Sequence, residues 1–185
     1  HIGLSTLTYL FEGEIMHRDS LGYTQPIRPG EVNWMTAGSG IVHSERTDPL
    51  KKSQGGPMHG MQAWVALPVD KEEIAPSFTH LGEDAQPTET SNGIFTRLVA
   101  GEAFGERAGT PVESPLYYLH YELPVGGTFA PPPGPGKAGG YVERALYVAA
   151  GEIEVDHQRF HTRQMVVLSA NAEPTVTALS PSTVM

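Results

Sequence analysis

The sequence predicts an all-β protein built from two similar β-barrels in tandem, and three observations lead to that prediction. Glycine (21) and proline (16) are abundant among the 185 residues, as expected of a chain with many turns. Short apolar runs outnumber helical patterns, so we expect helix to occupy less than about one-fifth of the chain. A strand–turn–strand pattern also occurs twice, once in each half of the chain.

Composition excludes several classes of function. The net charge of −9 argues against a nucleic-acid surface or an anionic membrane as the main partner. The absence of cysteine excludes disulfides, zinc–thiolate sites and thiol nucleophiles. No apolar run approaches the roughly 20 residues that span a bilayer, and no signal peptide opens the sequence, so we expect a cytoplasmic protein. The chain starts inside a predicted strand and ends without a closing element, so we expect that residues are missing at both ends.

The first half is predicted to consist of strands separated by glycine turns. Residues 2–11 are rich in Leu, Thr, Tyr and Phe, which favours a strand that ends at a turn around Gly13. Residues 59–67 alternate between two faces and stop at Pro68. The other strands predicted in this half cover residues 15–18, 32–35 and 41–45.

The second half begins after a change of character. Residues 70–92 hold prolines, acids and small polar residues, and they are predicted to be a connector with one short helical turn. The proline-rich run within 128–140 predicts a loop or a sheet edge. We therefore expect a first domain over residues 1–84 and a second over 85–185. The strands predicted in the second half cover residues 94–100, 116–123, 144–150, 152–156 and 164–169.

The best candidate metal ligands lie on the strand that follows the turn Gly38-Ser39-Gly40. Alternation along this strand places His43 and Glu45 on one face. An imidazole beside a carboxylate is a common half-site for a divalent transition metal. Two ligands are too few, and we expect His1 on a neighbouring strand to supply a third. The alternative is an exposed strand end in which Glu45 forms a solvated ion pair with Arg46.

The internal repeat predicts that the two barrels differ in metal binding. Residues 9–15 resemble residues 147–153, so that Tyr9 corresponds to Tyr147 and His1 to Gly139. Nothing after Leu168 resembles the run His43-Ser44-Glu45. We therefore expect one metal ion, bound in the first barrel.

The remaining histidines have weaker patterns. His17 is expected near the mouth of the first barrel, either beside the metal or substrate or simply at the surface. His59 and Gln62 fall on opposite faces of one strand, so at most one of them can line the cavity. His157 and His161 are interpreted as exposed residues of a hairpin. The residues expected in the core or in a pocket wall are Trp34, Met61 and Trp64.

Four stretches resemble motifs of the pirin family within the cupin superfamily. The stretches HIGLSTLTYLFEG at residues 1–13 and WMTAGSGIVHSE at residues 34–45 look like its first two signatures. The stretch HGMQAWVALP at residues 59–68 looks like the third, and residues 101–105 also fit. The resemblance is dense up to about residue 68 and thinner afterwards.

The resemblance implies two tandem cupin barrels, a bicupin, with a mononuclear iron site of three histidines and one glutamate in the first. His1 corresponds to the second histidine of the family's H-P-H motif, and His43 and Glu45 correspond to the other two protein ligands. The first histidine of that motif would lie two residues before His1. Ser5 stands where many cupins have a glutamate, which is consistent with Glu45 supplying the carboxylate.

The resemblance also implies a reaction. Members of the family are similar in action to dioxygenases that open the ring of a flavonol such as quercetin and release carbon monoxide. The implied cofactor is one divalent metal ion, Fe(II), and the implied partners are a flavonol-like substrate and dioxygen. Glu45 is expected to act as a ligand, or as a ligand and a catalytic base. The alternative is a non-enzymatic iron-binding regulator that contacts a protein partner and reports the redox state of iron.

Overall fold

A computed structural model describes all 185 residues, with 49% of them in strands and 6% in helices. The prediction of an all-β protein is therefore confirmed. The chain falls into two units, residues 1–86 with 109–114 and residues 87–108 with 115–185. The division into a metal-binding domain over 1–84 and a metal-free domain over 85–185 stays a prediction.

The first unit is built from two sheets. One sheet has the strand order β6-β1-β4-β7 and the other the order β3-β2-β5, and all these neighbours are antiparallel. The elements are β1 (Leu4–Glu12), β2 (Ile15–Asp19), β3 (Thr24–Ile27), β4 (Val32–Thr36), β5 (His43–Arg46), α1 (Pro49–Gln54), β6 (His59–Ala66) and β7 (Ser77–Leu81).

Strand β1 is buried on both faces. Leu7 lies opposite Trp34 of β4, and each is only 1% exposed. Thr6 and Thr8 point to the other face of the sheet because side chains alternate along a strand, and they are buried as well. The Leu7 face is packed with apolar side chains, whereas the threonine face combines hydroxyl groups with the apolar cluster of Met35 and Phe78.

A tight turn sets the start of β5. Gly38 has a φ of 50°, and a Cβ atom there would lie 1.9 Å from the carbonyl oxygen of Ile74, so only glycine fits. Ser39 donates its backbone N–H to that same carbonyl at 2.9 Å. The predicted strand over 41–45 begins two residues later than expected, at His43, with Ile41 buried just before it.

The single α-helix has six residues, with Asp48 as its N-cap and Pro49 in its first turn. Short 3₁₀ turns occur at Val69–Lys71 and Glu83–Ala85. None of these helices has the length and apolar character needed to cross a membrane.

The second unit has a seven-stranded and a four-stranded sheet. The larger follows the order β10-β9-β11-β18-β13-β16 with β8 beside β9, and the smaller follows β12-β17-β14-β15. The strands are β8 (Thr88–Ser91), β9 (Ile94–Ala103), β10 (Glu106–Arg107), β11 (Tyr117–Leu123), β12 (Thr128–Phe129), β13 (Arg144–Ala150), β14 (Glu152–Val155), β15 (Gln158–His161), β16 (Met165–Leu168), β17 (Val176–Ala178) and β18 (Ser182–Val184).

Two expectations about connecting regions were wrong. The connector predicted over 70–92 contains strands β7 and β8 as well as a short helical turn. The last residues do form an element, because β18 pairs with β11 on one side and β13 on the other. The proline-rich region is confirmed as an edge followed by a loop, since β12 is an outer strand of its sheet.

Candidate metal centre

The candidate ligands project from two paired strands of the first unit. Strand β5 pairs with β2 so that His17 lies opposite Glu45 and Asp19 lies opposite His43. His17, His43 and Glu45 can each offer one ligand atom such that these atoms all lie within 4.8 Å of one another. Two imidazoles and a carboxylate at this separation form a group that could hold a divalent metal ion.

His43 has the environment of a metal ligand. Its Nδ1 atom is buried and has no hydrogen-bond partner, which is a costly state for a polar atom unless something else binds it. Burial lowers the pKa of the His43 ring and outweighs the opposing attraction of Glu45. The ring is therefore held in the neutral form that binds metal ions. On these observations the residues present fit a metal ion.

Glu45 is held as a carboxylate by its neighbours. Thr8 donates its hydroxyl to Oε1 at 2.9 Å, and Gln62 donates its amide to Oε2 at 2.6 Å. Burial acts to raise the pKa of Glu45, but the interactions with His17, Thr8 and Gln62 outweigh burial and lower it. An ionised carboxylate in this position supplies the negative charge that a divalent cation needs.

His17 is fixed between two acids. Its Nε2 donates to Oδ2 of Asp19 at 2.9 Å, and its Nδ1 lies 3.9 Å from Oε1 of Glu45. The ring also stacks on Phe78 with centroids 4.3 Å apart. Burial lowers the pKa of His17, but the two carboxylates outweigh burial and raise it. The alternative of a surface histidine is wrong, since His17 is 1% exposed. A role beside the metal or substrate stays a prediction.

His1 lies at the open side of this group. Its backbone nitrogen donates to the carbonyl of Ile41 at 2.8 Å, and its carbonyl accepts from the Ile41 N–H at 3.1 Å. These bonds hold the His1 ring with its centroid 5.0 Å from that of His43. The ring of Trp64 meets His1 edge-on at 5.0 Å and is 65% exposed. Trp64 is therefore at the mouth of the site, whereas Trp34 is in the core.

Other sequence candidates lie outside the group. His161 is an exposed residue of β15, and another histidine of this unit, His80, contacts Oδ1 of Asn33 through Nδ1 at 2.8 Å. Of the pair on β6, Gln62 is the residue that reaches the site, while the ring of His59 lies near Phe11. Sequence reasoning missed Thr8, whose only signal was its place on the alternating face of the first strand.

Comparison with known proteins finds relatives in one family. The sequence model of the Pirin family matches residues 1–65. A pirin-like protein of Caulobacter vibrioides is 55% identical over 186 residues, an alignment that covers all of this chain and 62% of that protein. The chain is similar to members of the pirin family over its whole length. The family resemblance expected from the motifs is confirmed.

Two further proteins extend this result. Human pirin is 34% identical over 133 residues, which is 71% of this chain and 44% of the human protein. Quercetin 2,3-dioxygenase from Acinetobacter baumannii superposes with a TM-score of 0.87 at 31% identity, over 100% of this chain and 58% of that one. The tandem cupin fold is therefore confirmed. The chain spans about three-fifths of the length of the Caulobacter relative.

Proposed function

We propose that this chain carries the metal centre of an iron-dependent dioxygenase that opens a flavonol such as quercetin with release of carbon monoxide. The observation that carries the proposal is the convergence of His43, with its unpartnered Nδ1, and the ionised Glu45 on one face of β5. The relation to the Acinetobacter quercetin 2,3-dioxygenase supports the substrate class.

The proposed ligands are His1, His43 and Glu45. His17 is the competing third ligand, because it belongs to the close group with His43 and Glu45. We favour His1 because both ring nitrogens of His17 already face carboxylates, one from Asp19 and one from Glu45. His1 sits at the open side of the group, where its ring meets those of His43 and Trp64.

Beyond metal binding, residues of this chain can accept a proton from the substrate and stack against it. When bound, iron(II) supplies a redox-active Lewis acid through which an enolate substrate can pass electrons to dioxygen. The Glu45 carboxylate can take the enol proton of the flavonol, since its neighbours hold it in the ionised form that a base requires. The exposed indole of Trp64 offers a flat apolar surface at the mouth against which an aromatic substrate can stack.

The test is anaerobic reconstitution with Fe(II), followed by addition of quercetin in air with detection of carbon monoxide. We expect about one iron ion per chain and carbon monoxide release in step with quercetin loss. His43→Ala and Glu45→Ala should each lose tight iron binding while keeping the thermal midpoint of the metal-free protein, because Ile41 and its neighbours supply the apolar packing.

The outcomes separate the two function classes. If either variant keeps full iron content at wild-type affinity, His43 and Glu45 are not the ligand pair. Iron binding without quercetin turnover would refute the dioxygenase and favour the non-enzymatic regulator. A matched pair, His1→Gln and His17→Gln, decides the third ligand, since removal of a true ligand should lower the iron affinity well beyond the roughly 10–100-fold expected for a residue that only contacts a ligand.

A further inference from the structure

Both oxygens of the Glu45 carboxylate are held by side chains from the opposite sheet. Thr8 on β1 donates to Oε1 at 2.9 Å, and Gln62 on β6 donates to Oε2 at 2.6 Å. Glu45 itself is on β5 in the other sheet of the first unit. A carboxylate bonded on both oxygens cannot rotate about its Cγ–Cδ bond without breaking one of these bonds.

The two donors form one connected unit. Thr8 and Gln62 lie directly opposite each other in the β1–β6 pairing, and the Gln62 amide also donates to the Thr8 hydroxyl oxygen at 3.1 Å. The Thr8 hydroxyl has a single hydrogen, so accepting from Gln62 leaves that hydrogen for Glu45. Hydrogen bonds linked in this way strengthen one another.

Trp64 contacts the oxygen end of the Gln62 amide. Its indole Nε1, which can only donate, lies 3.4 Å from Oε1 of Gln62. The oxygen of the amide is thus directed to Trp64 and the nitrogen to Glu45. Trp64 is exposed at the mouth, so this chain of contacts runs from the surface to the candidate metal ligand.

We propose that Thr8 and Gln62 are positioning residues that hold the Glu45 carboxylate in the orientation required to bind the metal, and that Trp64 sets the orientation of the Gln62 amide. This role rests on the metal site in the proposed function. It does not require the flavonol reaction, because it concerns the affinity and geometry of metal binding. Groups that orient metal ligands typically change metal affinity by about 10–100-fold when removed.

The first test compares Thr8→Val with Thr8→Ser, using Mn(II) as a redox-silent probe and electron paramagnetic resonance to measure free and bound ion. Valine has the shape of threonine without the hydroxyl, so we expect about 10–100-fold weaker binding and a changed spectrum of bound Mn(II). Serine keeps the hydroxyl and should restore both. A purely structural role for Thr8 would alter the thermal midpoint of the metal-free protein without this rescue.

The second test compares Gln62→Leu with the matched control Gln158→Leu. Gln158 is an exposed glutamine on β15, so its replacement should leave Mn(II) affinity unchanged. Gln62→Leu removes the amide donor and should weaken binding by about 10–100-fold. Trp64→Phe keeps an aromatic ring but removes the N–H, and a several-fold weaker affinity is expected.

Three results would overturn the proposal. These are wild-type affinity in both Thr8→Val and Gln62→Leu, a Thr8→Ser variant as weak as Thr8→Val, or no Mn(II) binding by the wild type. If Gln62→Leu does not fold, the threonine pair still decides the question. Tight Mn(II) binding that depends on Thr8, together with no carbon monoxide release in the iron-loaded protein, would refute the dioxygenase and leave the positioning role standing.

Discussion

Strands β1 and β2 in the first unit and strands β13 and β14 in the second are joined by the same kind of turn. Each turn has a glycine with positive φ, 91° at Gly13 and 86° at Gly151, followed by a glutamate and an isoleucine. The turn therefore gives a common origin from which positions in the two units can be matched. The backbones correspond, but the side chains that face inward do not.

Counting from that origin, three polar residues of the site have apolar counterparts. His17 is four residues after its turn glycine, and Val155 occupies that place in the second unit. His17 lies opposite Glu45, just as Val155 lies opposite Val176. Thr8 is five residues before its glycine and corresponds to Leu146. All three counterparts, Leu146, Val155 and Val176, belong to the hydrophobic core of the second unit.

This difference shows how one strand arrangement serves two purposes. In the first unit the inward positions hold two imidazoles, a carboxylate and their hydrogen-bond donors. In the second unit the same positions exclude water and pack, which contributes stability through buried apolar area. The residue that corresponds to His43 in this matching is Pro174, whose side chain has no donor atom for a metal. That the second unit binds no metal stays a prediction.

The largest effect that would test this comparison comes from moving the carboxylate into the second unit. Val176 is fully buried, so Val176→Glu places a charge in an apolar core with no Thr, Gln or His partner. We expect a loss of about 3–5 kcal/mol in the free energy of unfolding, measured by urea denaturation. Val167→Glu, at a site 76% exposed, should change it by no more than about 0.5 kcal/mol. A tolerated Val176→Glu would mean that the second interior is not apolar in the way described.

Many of the strands could be predicted from a short stretch of sequence, because long strands rich in Thr, Leu and aromatic residues have a recognisable composition. Strands β7 and β8 were missed because they are short and partly polar, and they exist through pairing with β4 and β9. Strand β18 has three residues and is defined by its two neighbours. In such cases tertiary pairing, and not local preference, decides the structure.

The site was predictable only in part for the same reason. The spacing of His43 and Glu45 shows that they share a face, since that follows from alternation within one strand. Their contacts with His17, Thr8 and Gln62 depend on the register between strands and on how one sheet faces another. Register of this kind is not visible in a local stretch of sequence.

Glycine-to-alanine substitutions at the two matched turns should cause a smaller loss of stability, and the loss should differ between the turns. An added Cβ at Gly151 would lie 2.4 Å from the carbonyl oxygen of Pro181, whereas one at Gly13 would lie 2.8 Å from that of Pro57. We expect Gly151→Ala to cost about 3 kcal/mol and Gly13→Ala about 2 kcal/mol. Gly22 has a φ of 94° with nothing within 4 Å of its Cβ position, so Gly22→Ala isolates the backbone strain at about 1 kcal/mol.

The ranking of those three glycine variants is the result to check, by urea denaturation in the metal-free protein. Equal costs at all three positions would show that positive φ alone matters and that the close approach of the chain at the two turns is not tight.

The last prediction concerns a buried histidine of the second unit, in contrast to His17 of the first. His120 on β11 is 5% exposed and lies opposite Arg97 on β9. Burial, with a further contribution from the charge of Arg97, lowers the pKa of His120 to about 4. His17 is also buried, but the carboxylates of Asp19 and Glu45 raise its pKa. The two histidines should therefore change the stability of the protein with pH in opposite directions.

For His120, the unfolded chain takes up a proton near pH 6.5, whereas the folded protein takes one up only near pH 4. The contribution of neutral His120 to the free energy of unfolding is therefore complete above about pH 6.5. It falls with the pH, and about 2 kcal/mol of it is lost at pH 5. For His17 the sign is reversed, since a raised pKa favours the folded state at low pH and that contribution is lost as the pH rises through the raised value.

The measurement is the free energy of unfolding at pH 7 and pH 5 for the wild type, His120→Leu and the exposed control His157→Gln. Removing His120 should reduce the loss of stability between these two pH values by about 2 kcal/mol, because the unfolded state then no longer gains that proton. An identical pH dependence in the wild type and His120→Leu would mean that His120 is protonated in the folded protein, and the contrast between the two buried histidines would be wrong.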